Sequence, residues 1–177
     1  MPITYGVLMP NSFHPGIGDL VRLRDATRSD VLQMRELERQ SVEATHWSES
    51  QYRALFDTGN VQRIMRVAEE DAATGRIQGF LIASCVSHEW EIEIIVVDAA
   101  LRRRGLGSLL MQDLLRAARA AGVQNMLLEV RKSNEPARRL YEKIGFTMEG
   151  IRKDYYRNPP EDALLYRLSL QFCDKIS

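Results

Sequence analysis

The stretch IIVVDAALRRRGLGSLL, residues 94–110, decides the fold of this chain. It begins in a run of β-branched residues, which predicts a strand over residues 90–97. Gly105 and Gly107 follow, and they open a segment with apolar residues at helical spacing that ends at Gly122. The first N–H groups of a helix have no partner within it and lie at the positive end of its dipole. This turn therefore predicts a site for an anion such as a pyrophosphate.

The spacing of these glycines excludes two familiar phosphate-binding sequences. A P-loop requires a lysine directly after its last glycine, and none follows here. A dinucleotide-binding fingerprint requires a third small residue, and position 110 is leucine. The turn thus indicates a phosphorylated ligand that is neither a triphosphate nor an ordinary dinucleotide. From these residues alone, the alternative is a capped helix start beside a solvated arginine cluster.

The sequence on either side of this stretch predicts an α/β fold. Further strands are predicted at Leu20–Arg24, Arg63–Glu69, Ile77–Ser87, Asn125–Lys132, Phe146–Gly150 and Ala163–Leu170. Helices are predicted to begin near Asp30 with Val31, Leu32, Met34 and Leu37 buried, at Ser48 or Ser50, and at Ser133 or Asn134 with Ala137, Leu140, Tyr141 and Ile144 buried. The central helix is expected to bury Leu106, Leu110, Leu114, Ala117 and Ala121. This order of elements predicts a mixed sheet flanked by helices.

The length of 177 residues fits one domain. Residues 1–19, with three prolines, are expected to form an N-terminal extension, and residues 20–177 the domain itself. Lys and Arg total 24, as do Asp and Glu, so the net charge of zero excludes nucleic-acid binding through bulk charge. No membrane span, signal peptide or metal-binding spacing is visible, and Cys85 and Cys173 stand far apart. We therefore expect a cytoplasmic protein without a metal, a membrane or a nucleic-acid partner.

Two side chains stand out as candidates for acid–base chemistry. Glu129 interrupts the apolar strand NMLLEVR, where partial burial would favour a role as a general base. The alternative is an ion pair between Glu129 and Arg131, two positions along the same face. Tyr141 lies in the apolar stripe of a helix, either as a core residue or as a proton donor to a departing thiolate.

Together these segments resemble the GCN5-related N-acetyltransferase (GNAT) superfamily. The family pattern Arg/Gln-x-x-Gly-x-Gly/Ala is present as Arg102-x-x-Gly105-x-Gly107. Within the superfamily the chain is similar to the RimI type, which acetylates the N-terminal alanine of a small-subunit ribosomal protein. That similarity rests on LEVRKSN (128–134), ARRLYEKIGF (137–146), RKDYY (152–156) with DALLYRL (162–168), and the residues HWSE from position 46. The resemblance implies the GNAT fold, a mixed and mostly antiparallel sheet flanked by helices.

The resemblance also implies a role for each matching residue. Glu129 corresponds to the general base and Tyr141 to the general acid. Acetyl-CoA, the cosubstrate, would be bound by the backbone of Ile95, Val96 and Val97, by the turn residues Arg103, Arg104, Gly105, Gly107 and Ser108, and by Asn134 and Tyr141. Trp47, Glu93 and Tyr156 would line the groove for the amine substrate.

Alternatives remain open at the level of the base and of the acceptor. Glu93 is a second candidate for the base, since many GNAT relatives use a glutamate on this strand. The implied reaction is direct transfer to a primary amine, most simply the N-terminal amine of a ribosomal or other protein. The alternatives are a small-molecule amine, a lysine side chain, or a module that binds acyl-CoA without catalysis.

Overall fold

The computed structural model describes residues 17–41, 47–57, 61–70, 74–86 and 89–170. Most of the predicted N-terminal extension, His46 and Cys173 lie outside these residues. The helices are α1 (Ile17–Leu20), α2 (Val31–Arg39), α3 (Glu49–Ala54), α4 (Leu106–Ala120) and α5 (Glu135–Ile144). The strands are β1 (Arg22–Asp25), β2 (Gln62–Glu69), β3 (Ile77–Val86), β4 (Glu89–Val97), β5 (Asn125–Arg131), β6 (Thr147–Arg157) and β7 (Pro160–Ser169).

These strands form one seven-stranded sheet in the order β1-β2-β3-β4-β5-β7-β6. Every neighbouring pair is antiparallel except β4 and β5, which run parallel. The helix α4 connects this parallel pair, as a crossover between parallel strands requires. The predicted α/β class and the mixed, mostly antiparallel sheet are therefore confirmed.

Each face of the sheet is covered by its own hydrophobic cluster. One cluster contains the buried side chains of α4 and α5, and the other contains those of α2 and α3. Strand β4 contributes to both, because Trp90 and Ile92 face the α4 side whereas Ile94 and Val96 face the α2 side. The switch occurs at Glu93, the extra residue of a β-bulge opposite β3. Such a bulge bends the strand and disrupts the local ladder.

The helix ends follow the predicted capping chemistry. Ser48 is the N-cap of α3, and its hydroxyl accepts the N–H of Gln51. Asn134 is the N-cap of α5, and its side chain accepts the N–H of Ala137. Gly145 ends α5 with φ of 113°, the left-handed conformation that glycine adopts without a steric penalty. The last turn of α5 therefore has a defined end close to Tyr141.

Two of the predicted core positions are wrong. Leu32 is 74% exposed, whereas the buried residues of α2 are Met34, Leu37 and Glu38. Ala121 is exposed beyond the end of α4, where Ala118 is buried instead. In both helices the predicted helical period is correct, but one predicted position near an end of the helix faces solvent.

The closing strands are longer than predicted. Strand β6 runs to Arg157 rather than Gly150, and β7 begins at Pro160 rather than Ala163. Residues 147–157 are almost all exposed, so this edge strand lacks the apolar alternation by which a strand is recognised. Leu20, predicted to start the first strand, belongs to α1.

A buried ion cluster fixes the start of α2 to the edge of the sheet. Asp30 accepts hydrogen bonds from the guanidinium of Arg24 at 2.7 and 2.9 Å and from the backbone and hydroxyl of Thr27. Arg24 also contacts Glu69 on β2. The Arg24 guanidinium holds the pKa of the Asp30 carboxyl below its usual value. This cluster therefore joins β1, β2 and the helix that covers one face of the sheet.

We expect Asp30→Asn to lower the free energy of unfolding by about 2 kcal/mol at pH 7, because it removes one of the two carboxylates that pair with the Arg24 guanidinium. A carboxyl whose pKa is lowered by folding contributes stability above its unfolded pKa of about 3.9 and loses it as the pH falls. The difference between variant and parent should thus shrink at pH 3. Urea denaturation at the two pH values measures it, and an equal difference at both would contradict this account.

Candidate active site

Strands β4 and β5 separate halfway along their length. Their parallel ladder runs from Glu89 and Asn125 to Ile92 and Leu128 and ends there, while β4 continues to Val97. The β-bulge at Glu93 lies directly after the last pair, which is where the two strands diverge. One edge of β4 is therefore left unpaired by β5 over its last residues.

The backbone groups on this open edge can be assigned from the strand geometry. The N–H of Asp98 donates to the carbonyl of Gln78 on β3. Successive residues of a strand point their N–H and C=O groups to opposite sides. The N–H and C=O groups of Ile95 and Val97 consequently face the gap between β4 and β5.

The glycine turn that follows β4 has the geometry of an anion site. Gly105 precedes the first residue of α4 with φ of 97°, and Arg103 also has a positive φ of 62°. At Gly107 a Cβ atom would lie 3.1 Å from Leu140 on α5, so a glycine allows α4 and α5 to approach closely. The unpaired N–H groups of the first turn of α4 thus point out of a compact glycine-containing turn.

The open edge, the glycine turn and α5 together line one cleft of about 280 Å³. The residues predicted to bind the coenzyme all line it except Arg104, which is exposed beside it. The structure adds lining residues that the sequence reasoning did not assign, namely Ser41, Leu101, Arg102, Pro136, Ala137 and Leu140. Of these, Arg102 was visible in the quoted pattern, whereas Ser41 is brought in from α2 by the fold.

Arg102 connects the two sides of the cleft entrance. Its Nε donates to the carbonyl of Val97 at 3.4 Å, and its terminal nitrogen donates to the hydroxyl of Ser41 at 3.2 Å. One arginine thus contacts both the open edge of β4 and the end of α2.

Tyr141 lines the cleft from α5. Its ring is buried against Phe146 and Tyr166, with ring centroids 5.9 and 6.5 Å away. Burial raises the pKa of the Tyr141 phenol well above its usual value. The hydroxyl is therefore protonated at neutral pH and can donate a hydrogen bond or a proton there.

Glu129 lies on β5 just past the point where the strands separate. Its carboxylate is mostly buried and lies 2.9 Å from the guanidinium of Arg152 on β6. The suggested pair between Glu129 and Arg131 is not formed, since Arg131 instead donates to the carbonyls of Asn158 and Pro159. The hairpin between β6 and β7 therefore supplies the cation that faces Glu129.

Two more carboxylates share this face of the sheet. Glu91 and Glu93 lie on β4, and Glu93 is 3.9 Å from Arg63 on β2. Burial and the nearby carboxylates of Glu129 and Glu93 raise the pKa of Glu91. The sequence reasoning chose between Glu129 and Glu93 as the base and did not consider Glu91 for that role.

The other residues predicted to meet the amine substrate lie on two different elements. The ring of Tyr156 on β6 stacks with the guanidinium of Arg131, which is 4.0 Å from its centroid, and burial raises the pKa of Tyr156 to about 12. The ring of Trp47 packs against Tyr52, and the backbone N–H of Trp47 donates to the buried Glu38 carboxylate. Neither lines the coenzyme cleft.

The described residues contain no group of three or more His, Cys, Asp or Glu side chains able to hold a metal ion. No helix among them is both long and apolar enough to span a bilayer.

The sequence comparisons assign this site to a family. Residues 30–146 match the model of the acetyltransferase (GNAT) family. The [ribosomal protein bS18]-alanine N-acetyltransferase of Salmonella typhimurium is 33% identical over 133 residues, which are 74% of this chain and 86% of that protein. The N-alpha-acetyltransferase RimI of Mycobacterium tuberculosis is 42% identical over 79 residues, 45% of this chain and 48% of that protein.

Solved structures have the same architecture. The ribosomal-protein-S18-alanine N-acetyltransferase from Escherichia coli superposes with a TM-score of 0.76 at 27% identity, covering 89% of this chain and 98% of that one. Arabidopsis thaliana NAA60 in complex with acetyl-CoA shares the fold, with a TM-score of 0.75 at 17% identity over 85% of this chain and 98% of that one. The chain belongs to the GNAT family of acetyltransferases. It is an N-acetyltransferase similar to the RimI enzymes.

We expect Gly105→Ala to weaken acetyl-CoA binding about tenfold, because a side chain at φ of 97° shifts the turn that presents the N–H groups. Gly122→Ala is the matched control, since Gly122 also has a positive φ, of 70°, but lies at the far end of α4 with no atom within 4 Å of the added Cβ. Both variants should lose about 1–2 kcal/mol of stability. Calorimetric titration separates them, and equal acetyl-CoA affinities in the two variants would contradict the assigned role of the turn.

Proposed function

We propose that this protein transfers the acetyl group of acetyl-CoA directly to the α-amine of a protein N-terminus that begins with alanine. The similar proteins named above are alanine N-acetyltransferases of a ribosomal protein. The observation that carries the proposal is the open edge of β4. It leads from the glycine turn to Tyr141 and has Glu129 on the strand across the gap. A thioester bound along this edge would have its sulfur near Tyr141 and its carbonyl carbon near the carboxylate side.

The proposed coenzyme contacts are mainly backbone contacts. The N–H and C=O groups of Ile95 and Val97 would pair with the amides of the pantetheine arm as a neighbouring strand would. The N–H groups from Arg103 to Ser108 would bind the diphosphate, and Asn134 and Tyr141 would border the arm. The cleft is lined largely by apolar side chains, which suits an extended, mostly uncharged arm.

The proposed reaction proceeds in one ternary complex. Glu129 takes a proton from the ammonium form of the substrate, and the neutral amine attacks the thioester carbonyl carbon. The carbon–sulfur bond breaks as the amide bond forms, and the sulfur leaves with the bonding electron pair. The Tyr141 hydroxyl donates a hydrogen bond to that sulfur and stabilises the departing thiolate. The second proton of the attacking amine is released as the amide forms and passes to the thiolate through the Tyr141 hydroxyl, which ends the reaction protonated.

The pKa of Tyr141 suits donation of a hydrogen bond to the leaving sulfur. Cysteine, a model for the coenzyme thiol, has a pKa of about 8.5, and burial raises the pKa of Tyr141 above its usual value of about 10. A phenol of this kind remains protonated and donates a strong hydrogen bond to the developing thiolate. We therefore propose hydrogen-bond donation as the larger part of its contribution.

The chemistry of the acceptor favours an α-amine. The pKa of an α-amine is about 8 and that of a lysine side chain about 10.4. At about 1.36 kcal/mol per unit, deprotonating the α-amine is about 3 kcal/mol easier. A single carboxylate such as Glu129 is then sufficient as a base. The proposal includes a cytoplasmic reaction on the free N-terminal tail of a ribosomal or other protein.

Mass spectrometry of a mixed acceptor panel tests the proposed substrate class. The protein is incubated with acetyl-CoA and with peptides that begin with alanine, the same peptides with a blocked N-terminus and an internal lysine, and small primary amines. We expect a gain of one acetyl group only on free N-termini, with alanine preferred. Acetylation confined to lysine or to small amines would contradict the proposed acceptor and retain the family activity.

We expect Glu129→Gln to lower kcat/KM for an alanine-starting peptide by at least about 100-fold, the usual contribution of a general base. The dissociation constant for acetyl-CoA should change little, since Glu129 does not line the coenzyme cleft. Glu93→Gln and Glu91→Gln measured beside it identify the base. Near-parent turnover in Glu129→Gln with a large loss in either of the others would move the role to that residue.

We expect Tyr141→Phe to lower kcat by about 10- to 100-fold without loss of stability, because it removes only a hydroxyl. Tyr166→Phe is the control, since Tyr166 is also buried and lies 6.5 Å from Tyr141, but its hydroxyl donates to Glu142 outside the cleft. Steady-state rates should be near the parent value in the control. Equal rates in all three proteins would make Tyr141 a core residue without a catalytic role.

A further inference from the structure

The edge strand β6 contains a large bulge that faces the acid–base site. Arg152 pairs with Ala163 and Tyr156 with Glu161, so three residues of β6 lie opposite one residue of β7. In the middle of this bulge Asp154 has φ of 52°, a conformation that non-glycine residues adopt at a cost. Its backbone N–H donates to the carboxylate of Asp162, which supports that conformation.

The bulge directs two side chains onto one carboxylate. Arg152, just before it, lies 2.9 Å from Glu129, and the same carboxylate is close enough to Tyr155, within the bulge, to raise the pKa of its phenol. The guanidinium of Arg152 also lies over the ring of Tyr155, 5.5 Å from its centroid. Bulges of this kind commonly redirect side chains beside active sites. Here three groups meet that a regular ladder would separate.

The bulge is tied to the rest of the hairpin through a buried arginine. The ring of Tyr155 packs edge-on against that of Tyr156, at 5.2 Å, and Tyr156 stacks on Arg131. Arg131 is 8% exposed and donates to the backbone carbonyls of the turn between β6 and β7. Arg152 and Tyr155 are partly exposed, but they lie on a hairpin that the buried Arg131 stabilises.

We propose that Arg152 and Tyr155 are positioning residues for the carboxylate of Glu129, and that the β6 bulge exists to place them there. This inference rests on the proposed function, since it assigns a task to Glu129. The two partners fix the orientation of the carboxylate toward the amine, in a site where a displacement of about 1 Å costs about 100-fold in rate.

Their contribution to stability should be small. Arg152 is 55% exposed and Tyr155 is 46% exposed, and ion pairs at such positions contribute about 0–1 kcal/mol. Substitution of Arg152 therefore leaves a folded protein in which the effect on catalysis can be measured. The contact between Arg152 and Glu129 thus adds little to stability but holds a cation beside the carboxylate, as a positioning role requires.

A double-mutant cycle tests whether Arg152 acts through Glu129. The proteins are the parent, Arg152→Met, Glu129→Gln and the double variant, assayed with acetyl-CoA and an alanine-starting peptide. We expect Arg152→Met to lower kcat about 30-fold or more and to leave the KM for acetyl-CoA unchanged. In the Glu129→Gln background the same substitution should change kcat less than twofold, because there is no carboxylate left to position.

Two further variants complete the design. Arg152→Lys keeps the cation and should recover a large part of the lost kcat. Lys153→Met is the matched control, since it removes a cation one residue along the same strand and should leave kcat at the parent value. Equal losses from Arg152→Met in both backgrounds, or full activity of Arg152→Met, would overturn the positioning role.

The outcome for the proposed function is read separately. If the parent acetylates no amine in the panel, the proposed function fails, and the positioning role is then judged from crystal structures of the parent and Arg152→Met. A changed rotamer of Glu129 in the variant would support it, and an unchanged carboxylate would overturn it. If the parent is active and only the cycle fails, acetyl transfer stands and the positioning proposal falls.

Discussion

The end of the ladder between β4 and β5 determines most of the chemistry of this protein. Two parallel strands pair up to Ile92 and Leu128, and a bulge at Glu93 then turns β4 away. Backbone N–H and C=O groups left without partners are costly inside a protein. A ligand that pairs with them is therefore bound without any special side chain. We therefore propose that the coenzyme is held largely by the backbone of Ile95 and Val97, beside the Arg102 side chain that contacts the Val97 carbonyl.

The same separation distributes the reacting groups over two sides of the sheet. Tyr141 approaches from α5 on one side, with its pKa raised by burial. Glu129 lies on the other side, where Glu91 and Glu93 add two more carboxylates. In the proposed reaction, the buried Tyr141 would face the leaving sulfur, and the carboxylates would face the incoming amine. One gap between strands provides both environments.

The parts of the molecule that follow from local rules were predictable from the sequence. The glycine turn, the caps at Ser48, Asn134 and Gly145, and the strand around Glu129 depend on nearby residues, and the structure shows each of them. The lining of the cleft was predictable where it consists of the glycine turn, strand β4 and the start of α5.

The parts that depend on tertiary pairing were not predictable. The extension of β6 to Arg157 has no alternating apolar pattern, because an edge strand with both faces near water needs none. The pairing of Glu129 with Arg152 arises from a bulge whose only trace in the sequence is Asp154, a residue that tolerates a positive φ. Ser41 reaches the cleft because α2 packs over β3 and β4. In each case the partner lies far along the chain.

Residue-resolved amide hydrogen exchange of the full chain, with and without acetyl-CoA, tests the central claim most directly. We predict that the amides of Ile95, Val97 and the first turn of α4 exchange measurably in the free protein. Saturating acetyl-CoA should slow their exchange at least tenfold, while the amides of Ile94 and Val96, which face β3, change little. Unaltered exchange at Val97 and from Gly105 to Ser108 in the saturated protein would show that the unpaired edge and the glycine turn do not hold the coenzyme.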